Sequence, residues 1–319
     1  MDTILAEDSG VLSRPADIAF SETGRLFVLD YGDSSILLLN DSATGVERRI
    51  GRAGSAPGEL KWPIGLVVIG DTIVTANTAN GRLERYTVGG QVLPSRPVPV
   101  ALTQGRVSLA GDGGFTLPVN GEGGALAVLY SADGRPTRRI GFPIVEAGAS
   151  YHAGAFHDAA LRGEVPAYYR NAALVAHGLD STVWLALTTE GRIQRFGPLA
   201  QAPIAELTVN DPTFAAIKAA YTRRNREDST GRRYHPLLLF ADLKVEATRL
   251  WVLLNEPDAY GAVVLRIDSE GRVKRRLTIN GVSRAWRLAV RTSTRELYLT
   301  SADNASLFRV RLNADEWED

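Results

Sequence analysis

The chain has 319 residues, 45% hydrophobic and 23% charged, which is enough apolar surface for a packed core and too little net charge for disorder. Lys plus Arg equals Asp plus Glu at 36 each, so the basic field that nucleic-acid or anionic-membrane binding needs is missing. With no cysteine there is no disulfide, thiolate metal site or cysteine nucleophile.

Short alternating runs separated by turn residues begin near the N-terminus. Thr3-Ile4-Leu5-Ala6 is β-like and stands ahead of the first full unit. Ala16 to Phe20, the turn Ser21-Glu22-Thr23-Gly24, and Arg25 to Asp30 read as a hairpin. Ser35 to Leu39 and Val46 to Ile50 complete a four-stranded meander.

The hairpin turn returns at Gly70-Asp71, Gly111-Asp112-Gly113-Gly114, Asp180-Ser181-Thr182, Glu246-Ala247-Thr248 and Thr292-Ser293-Thr294. With Gly24, Asp71, Gly113, Ser181, Thr248 and Thr294 as markers, the spacings are 47, 42, 68, 67 and 46 residues. Propeller blades repeat at roughly 40 to 50 residues, so three intervals fit and two carry about twenty extra residues each. The pattern predicts an all-β fold, a six-bladed β-propeller with two short helical insertions on one face, as a single domain over residues 1–319. The last unit supplies only three strands, and Thr3 to Ala6 is expected to close it.

The insertions, about residues 143–171 and 208–235, carry the helical text. The first holds the Ala-rich His157 to Arg162 and ends at Pro166-Ala167-Tyr168-Tyr169. The second opens with Asp211-Pro212, a cap and a first-turn proline, and is expected to break up in the polar run Arg223 to Arg233. Both lie between the outer strand of one blade and the inner strand of the next. They are therefore expected to form a partial lid over the mouth of the channel, and the core of the ring is not expected to depend on them.

Pro15-Ala16-Asp17-Ile18-Ala19, Gly24 and Phe27-Val28-Leu29-Asp30, with the linker Gly51 to Pro63 before Ile64-Gly65-Leu66, resemble the NHL repeat. Gly191 to Phe196 is similar to its third strand, and Gly81 to Tyr86 echoes it. The resemblance covers about a third of the chain and implies architecture. Its members include protein- and RNA-binding modules and lyases, and other six-bladed propellers are lactonases and phosphotriesterases, so fold does not select function.

Among candidate chemistry, Asp30, Asp33, Asn77, Asn80, Asn120, Glu122, Glu190, Glu256, Asp258, Asp303 and Asn304 offer oxygens at second-to-third-strand loops. Asp and Asn at such turns cap their own backbone, so no metal and no cofactor are expected. His152, His157, His177 and His235 fall on or beside the insertions without zinc-helix spacing, and His177, in an inner strand, reads as a hydrogen-bonded core residue. The Arg223 to Arg233 cluster reads as a solvated loop with local pairing, and the two Gly-rich stretches as turns.

The expected function is a non-catalytic recognition module binding a protein or small polar ligand at the lid face. Trp62, Arg284 and Trp286 would form its fixed side, and His152, His157, Tyr168, Tyr169 and His235 its mobile side. The alternative is a hydrolase or lyase, lactonase-like or of the NHL type, working in the channel. No nucleic-acid partner and no membrane span are expected. A lone methionine at position 1 fits an initiator placed before a mature exported chain, which makes the compartment extracellular or periplasmic, with cytoplasmic as the alternative.

Overall fold

The structure is a computed structural model that describes every residue except 7–8, 99–106, 147–151, 179, 229, 231–232, 247–248, 257–260, 302 and 318–319. The turn at Ala247-Thr248, the candidate ligand Asp258, Arg232 and Tyr151 lie outside the described residues.

Strand β1 (Asp2–Leu5) stands apart from its sequence neighbours. Blade one is β2 (Pro15–Phe20), β3 (Leu26–Asp30), β4 (Ser35–Leu39) and β5 (Val46–Ile50); blade two is β6 (Pro63–Ile69), β7 (Thr72–Asn77), β8 (Arg82–Thr87) and β9 (Val92–Pro97). Blade three is β10 (Ser108–Leu109), β11 (Phe115–Pro118), β12 (Ala127–Tyr130) and β13 (Pro136–Ile140). Helices α1 (Ala153–Leu161) and α2 (Ala167–Arg170) follow, then blade four, β14 (Ala173–His177), β15 (Val183–Leu187), β16 (Arg192–Phe196) and β17 (Ala205–Thr208). After α3 (Thr213–Glu227) come blade five, β18 (Phe240–Glu246), β19 (Arg249–Leu254), β20 (Gly261–Ile267) and β21 (Val273–Asn280), and the last three strands, β22 (Ala285–Arg291), β23 (Glu296–Ser301) and β24 (Leu307–Arg311). A single turn, α4 (Ala314–Trp317), ends the described chain.

Each blade is an antiparallel four-stranded sheet, and the sixth has the order β1-β24-β23-β22. The six-bladed propeller is therefore closed by its first strand: Asp2 faces Arg309 and Thr3 faces Phe308 in the ladder. Middle strands are buried on both sides because neighbouring blades cover both faces, as in β3 and β4, whereas outer strand β5 exposes Val46 to Arg49. Between blades one and two, Phe27, Leu29 and Leu38 pack with Leu66, Ile73 and Tyr86.

The inner strands carry a shared device. At Asp17 and Asp242 the ladder slips by one residue, a bulge in β2 and in β18. In each, one carboxylate oxygen accepts the next residue's amide, Ile18 or Leu243, at 2.9 Å. The other oxygen crosses to the next blade and accepts the amide of Leu66 or Leu288. Blade two places Gly65 at its bulge, with φ +70, where a Cβ would sit 2.7 Å from the Val107 carbonyl oxygen. Blade six places Trp286 there, and the next residue, Arg287, stands where blades one and five have Asp17 and Asp242; its guanidinium donates to the carbonyls of Ala16, Ala241 and Trp286.

The insertions differ from expectation in two ways. Rather than a loop, Arg223 to Glu227 completes α3, because buried Asn225 donates to the Tyr221 carbonyl and clasps the His235 backbone from both sides, at 2.8 and 3.0 Å. Asp211 starts that helix as expected, its Oδ1 accepting the Thr213 amide at 2.9 Å. The second difference is one of packing. Phe156 and Ala160 of α1 and Ile217 and Tyr221 of α3 belong to one continuous core with Trp184 and Phe240 of blades four and five. The insertions are part of the packed interior. No helix among the described residues is long and apolar enough to cross a membrane.

Candidate functional site

Two concave features here, a cleft between the insertions and a cavity in the channel, stand beside the rim residues expected from the sequence.

The eight residues expected at the site fall into two groups. Trp62 and Arg284 directly precede the inner strands of blades two and six, so with Trp286 they flank blade one. Both Trp62 and Arg284 hold positive φ, +53 and +41, a conformation non-glycine residues rarely adopt. Trp62 is 59% exposed. Arg284 donates to Asp303 at 2.5 Å, and Arg287 lies 4.5 Å over the Trp286 ring.

The second group belongs to the insertions over blades four and five, across the ring from blade one. His152 is exposed at the start of α1, and His157 is buried, its Nδ1 without a hydrogen-bond partner among the described residues. Tyr168 and Tyr169 pack on Phe156 at 5.4 and 5.8 Å, and Tyr169 meets Tyr234 at 4.9 Å. His235 is half-buried, with its backbone held by Asn225. The structure thus brings Tyr168 and Tyr169 together, 5.1 Å apart, and holds the Trp62 and Trp286 group elsewhere on the rim.

The cleft between the insertions was not foreseen. It has a volume of about 560 Å³ and opens between Gly163 to Val165, the β15–β16 loop and α3. Arg170 Nε lies 3.1 Å from Glu190 Oε1 on its wall. Among the described residues, exposed Lys218 has no ion-pair partner and the buried Thr189 hydroxyl has no hydrogen-bond partner. Tyr221 closes one side, donating to the Glu164 carbonyl at 2.7 Å and so tying one insertion to the other.

The channel holds a cavity of about 280 Å³ lined by the later halves of the inner strands, such as Val175 to His177 and Leu243 to Glu246. Those halves lead into the first hairpins, so this cavity lies toward the face opposite the insertions. Lys244 crosses from blade five toward blade one, with Nζ 3.4 Å from Asp17 Oδ1. His177 Nε2 is 2.9 Å from Thr116 Oγ1, in keeping with its reading as a hydrogen-bonded core residue. Burial lowers the His177 pKa to about 4, aided by the Arg138 charge and opposed by Asp112 and by a bond to the Ser108 backbone. The imidazole is neutral at pH 7.

Several loop oxygens are spent on protein partners, most of them in the segment leading into the same blade rather than in their own turn. Asp30 accepts the amides of Ser13, Arg14 and Gly32 at 2.6, 2.8 and 2.9 Å, and Asn77 accepts Lys61 N–H while donating to the Glu59 carbonyl. Asp33 pairs with Arg49 and Asn80 donates to the Gly54 carbonyl. Among the described residues no three His, Asp or Glu side chains converge as a metal would require.

No protein-family model and no curated protein sequence matches the chain. Solved structures do. Virginiamycin B lyase from Staphylococcus aureus is 11% identical over 98% of this chain and 88% of that one, with a TM-score of 0.52. A gluconolactonase from Xanthomonas campestris is 14% identical over 98% and 89%, with a TM-score of 0.56. At such identity the likeness is one of fold, the six-bladed propeller.

Proposed function

We propose that this propeller is a recognition module that captures a small polar ligand bearing a carboxylate in the cleft between its insertions. The observation that supports the reading is the cleft's chemistry: Arg170 and Lys218 supply two cations, and Glu190 and the unpartnered Thr189 hydroxyl supply orienting hydrogen bonds. A buried hydroxyl without a partner costs about 1–3 kcal/mol, which a ligand oxygen or amide would recover. The Arg170 fork is already aimed by Glu190, so little side-chain freedom is lost on binding. The rim residues Trp62, Arg284 and Trp286 lie on the same face and would contact only a larger ligand or a protein.

Calorimetric titration with gluconate, a carboxylate rich in hydroxyls, tests the reading. Saturable binding that weakens at least tenfold in Lys218→Met and in Thr189→Val supports it. Binding unchanged in both variants places recognition elsewhere.

The channel favours a second reading, hydrolase or lyase chemistry, through one observation: a neutral, half-buried His177 lines one cavity with Lys244 and Glu246. Release of acid from glucono-δ-lactone by the wild type, abolished in His177→Gln, would favour it over binding alone. Absence of turnover would leave recognition as the function.

A further inference from the structure

A crevice on the face opposite the insertions, between blades two and three, is lined by two arginines and a single acid among the described residues. Strands β8 and β9 place Leu83 opposite Arg96, and Arg85 lies two residues beyond Leu83 on the same side of the sheet. Arg85 and Arg96 therefore project together, over Thr72 and Val74, into a crevice of about 150 Å³. Its other wall is the Gly111-Asp112-Gly113 hairpin of blade three.

The two guanidinium groups are not balanced. Arg96 Nη1 donates to the Ala132 carbonyl at 2.8 Å, which fixes its plane across the blade boundary. Arg85 has no hydrogen-bond or ion-pair partner among the described residues. Asp112 is the nearest acid on the wall, but its Oδ1 caps the Gly114 amide at 2.8 Å and it forms no ion pair with either arginine. Burial and the neighbouring Arg96 charge hold the Arg85 pKa below its ordinary value, as expected for a cation that lacks a counter-ion.

From this juxtaposition we propose that the crevice between blades two and three is a binding site for a small tetrahedral oxyanion of the phosphate class, held by Arg85 and Arg96. Two guanidinium forks match the paired oxygens of phosphate, and an anion removes the repulsion between them. The volume admits one such group and excludes a folded segment. The site lies at the far side of the ring from the insertion cleft, so occupancy of one is independent of the other.

The test is titration of the full chain with inorganic phosphate at low ionic strength, with chloride at matched ionic strength as the control. The expected result is saturable binding with a submillimolar dissociation constant and a rise in Tm that chloride does not reproduce. Arg85→Gln should weaken binding at least tenfold with an unchanged Tm in the absence of phosphate. If that variant fails to fold, Arg85→Lys, which keeps the charge and loses the fork, should weaken it about threefold or more. Asp112→Asn, whose amide oxygen can still cap Gly114, should tighten it. Glucose 6-phosphate binding as well as phosphate identifies an ester as the source, and phosphate binding alone identifies the free ion. No saturable binding, or binding indifferent to Arg85 and Asp112, overturns the proposal.

Discussion

Asp17 Oδ2 accepts the Leu66 amide at 2.7 Å, a bond between blades whose two partners are 49 residues apart in the chain. Asp242 makes the same bond to Leu288 at 2.9 Å, and both carboxylates are buried to within 1% of full burial. Two of the six blade junctions are thus pinned at their innermost strands by one side chain each.

Removing that side chain strands two buried amides at once. Asp17→Ala is expected to cost about 3–5 kcal/mol, and Asp17→Asn less, because the amide oxygen still accepts one bond. Urea unfolding of both variants checks this, and equal losses for Ala and Asn would show that the charge toward Lys244 matters more than the bonds to the amides.

Deleting residues 1–5 removes β1, with its ladder to β24, the buried Leu5 and the Asp2–Arg309 pair at 2.9 Å. The truncated chain is expected to melt at least about 5 °C lower, since one buried leucine alone contributes about 2 kcal/mol. A melting temperature equal to that of the full chain would mean that blade six is complete with three strands.

Phe156 sits where α1, α2 and Tyr234 meet, with three aromatic rings within 5.8 Å. Phe156→Ala is expected to destabilise by about 3–4 kcal/mol through the cavity it leaves. Because its core is shared with Trp184 and Phe240, the loss should appear as a shift of a single cooperative transition. A separate early transition, with the ring melting as before, would make the lid an independent unit.

His177 gives stability a definite pH dependence. Its folded pKa, about 4, lies below the unfolded value of about 6.5, so between these pH values the unfolded chain binds the extra proton. The contribution is complete above pH 6.5 and is lost as pH falls toward 4, about 3 kcal/mol in all. In His177→Gln the unfolding free energy should fall less steeply from pH 7 to pH 4.5, by about 2–3 kcal/mol. An unchanged slope would place the acid sensitivity in other groups.

The blades were readable because each hairpin is a local event: Ser21 to Gly24 must turn, and the flanking residues alternate with a period of two. Ring closure was readable by counting, since three strands in the last unit demand a fourth. What Asp17 does was not readable, because its partner Leu66 is brought near only by the ring, although the shared Ala-Asp-aliphatic text at Ala16-Asp17-Ile18 and Ala241-Asp242-Leu243 was a signal. The cleft escaped for a similar reason. Arg170 and Lys218 share a wall only because α1 packs against α3, and that packing depends on Phe156 and Tyr221, whose burial alternation cannot distinguish core from rim. The extension of α3 through Arg223 to Glu227 was hidden by its charge, which hides the role of buried Asn225.

The pairing of Thr3 with Phe308 also bears on how the protein is made. A ribosome makes Thr3 long before Phe308, and at about 5–20 residues per second the interval between the two is roughly 15–60 s. Blades one to five can assemble in order of synthesis, each on the one before. The four residues of β1 must wait as an unmated edge, and the shortness of the strand, with its charged Asp2, keeps that edge from recruiting strands from other nascent chains.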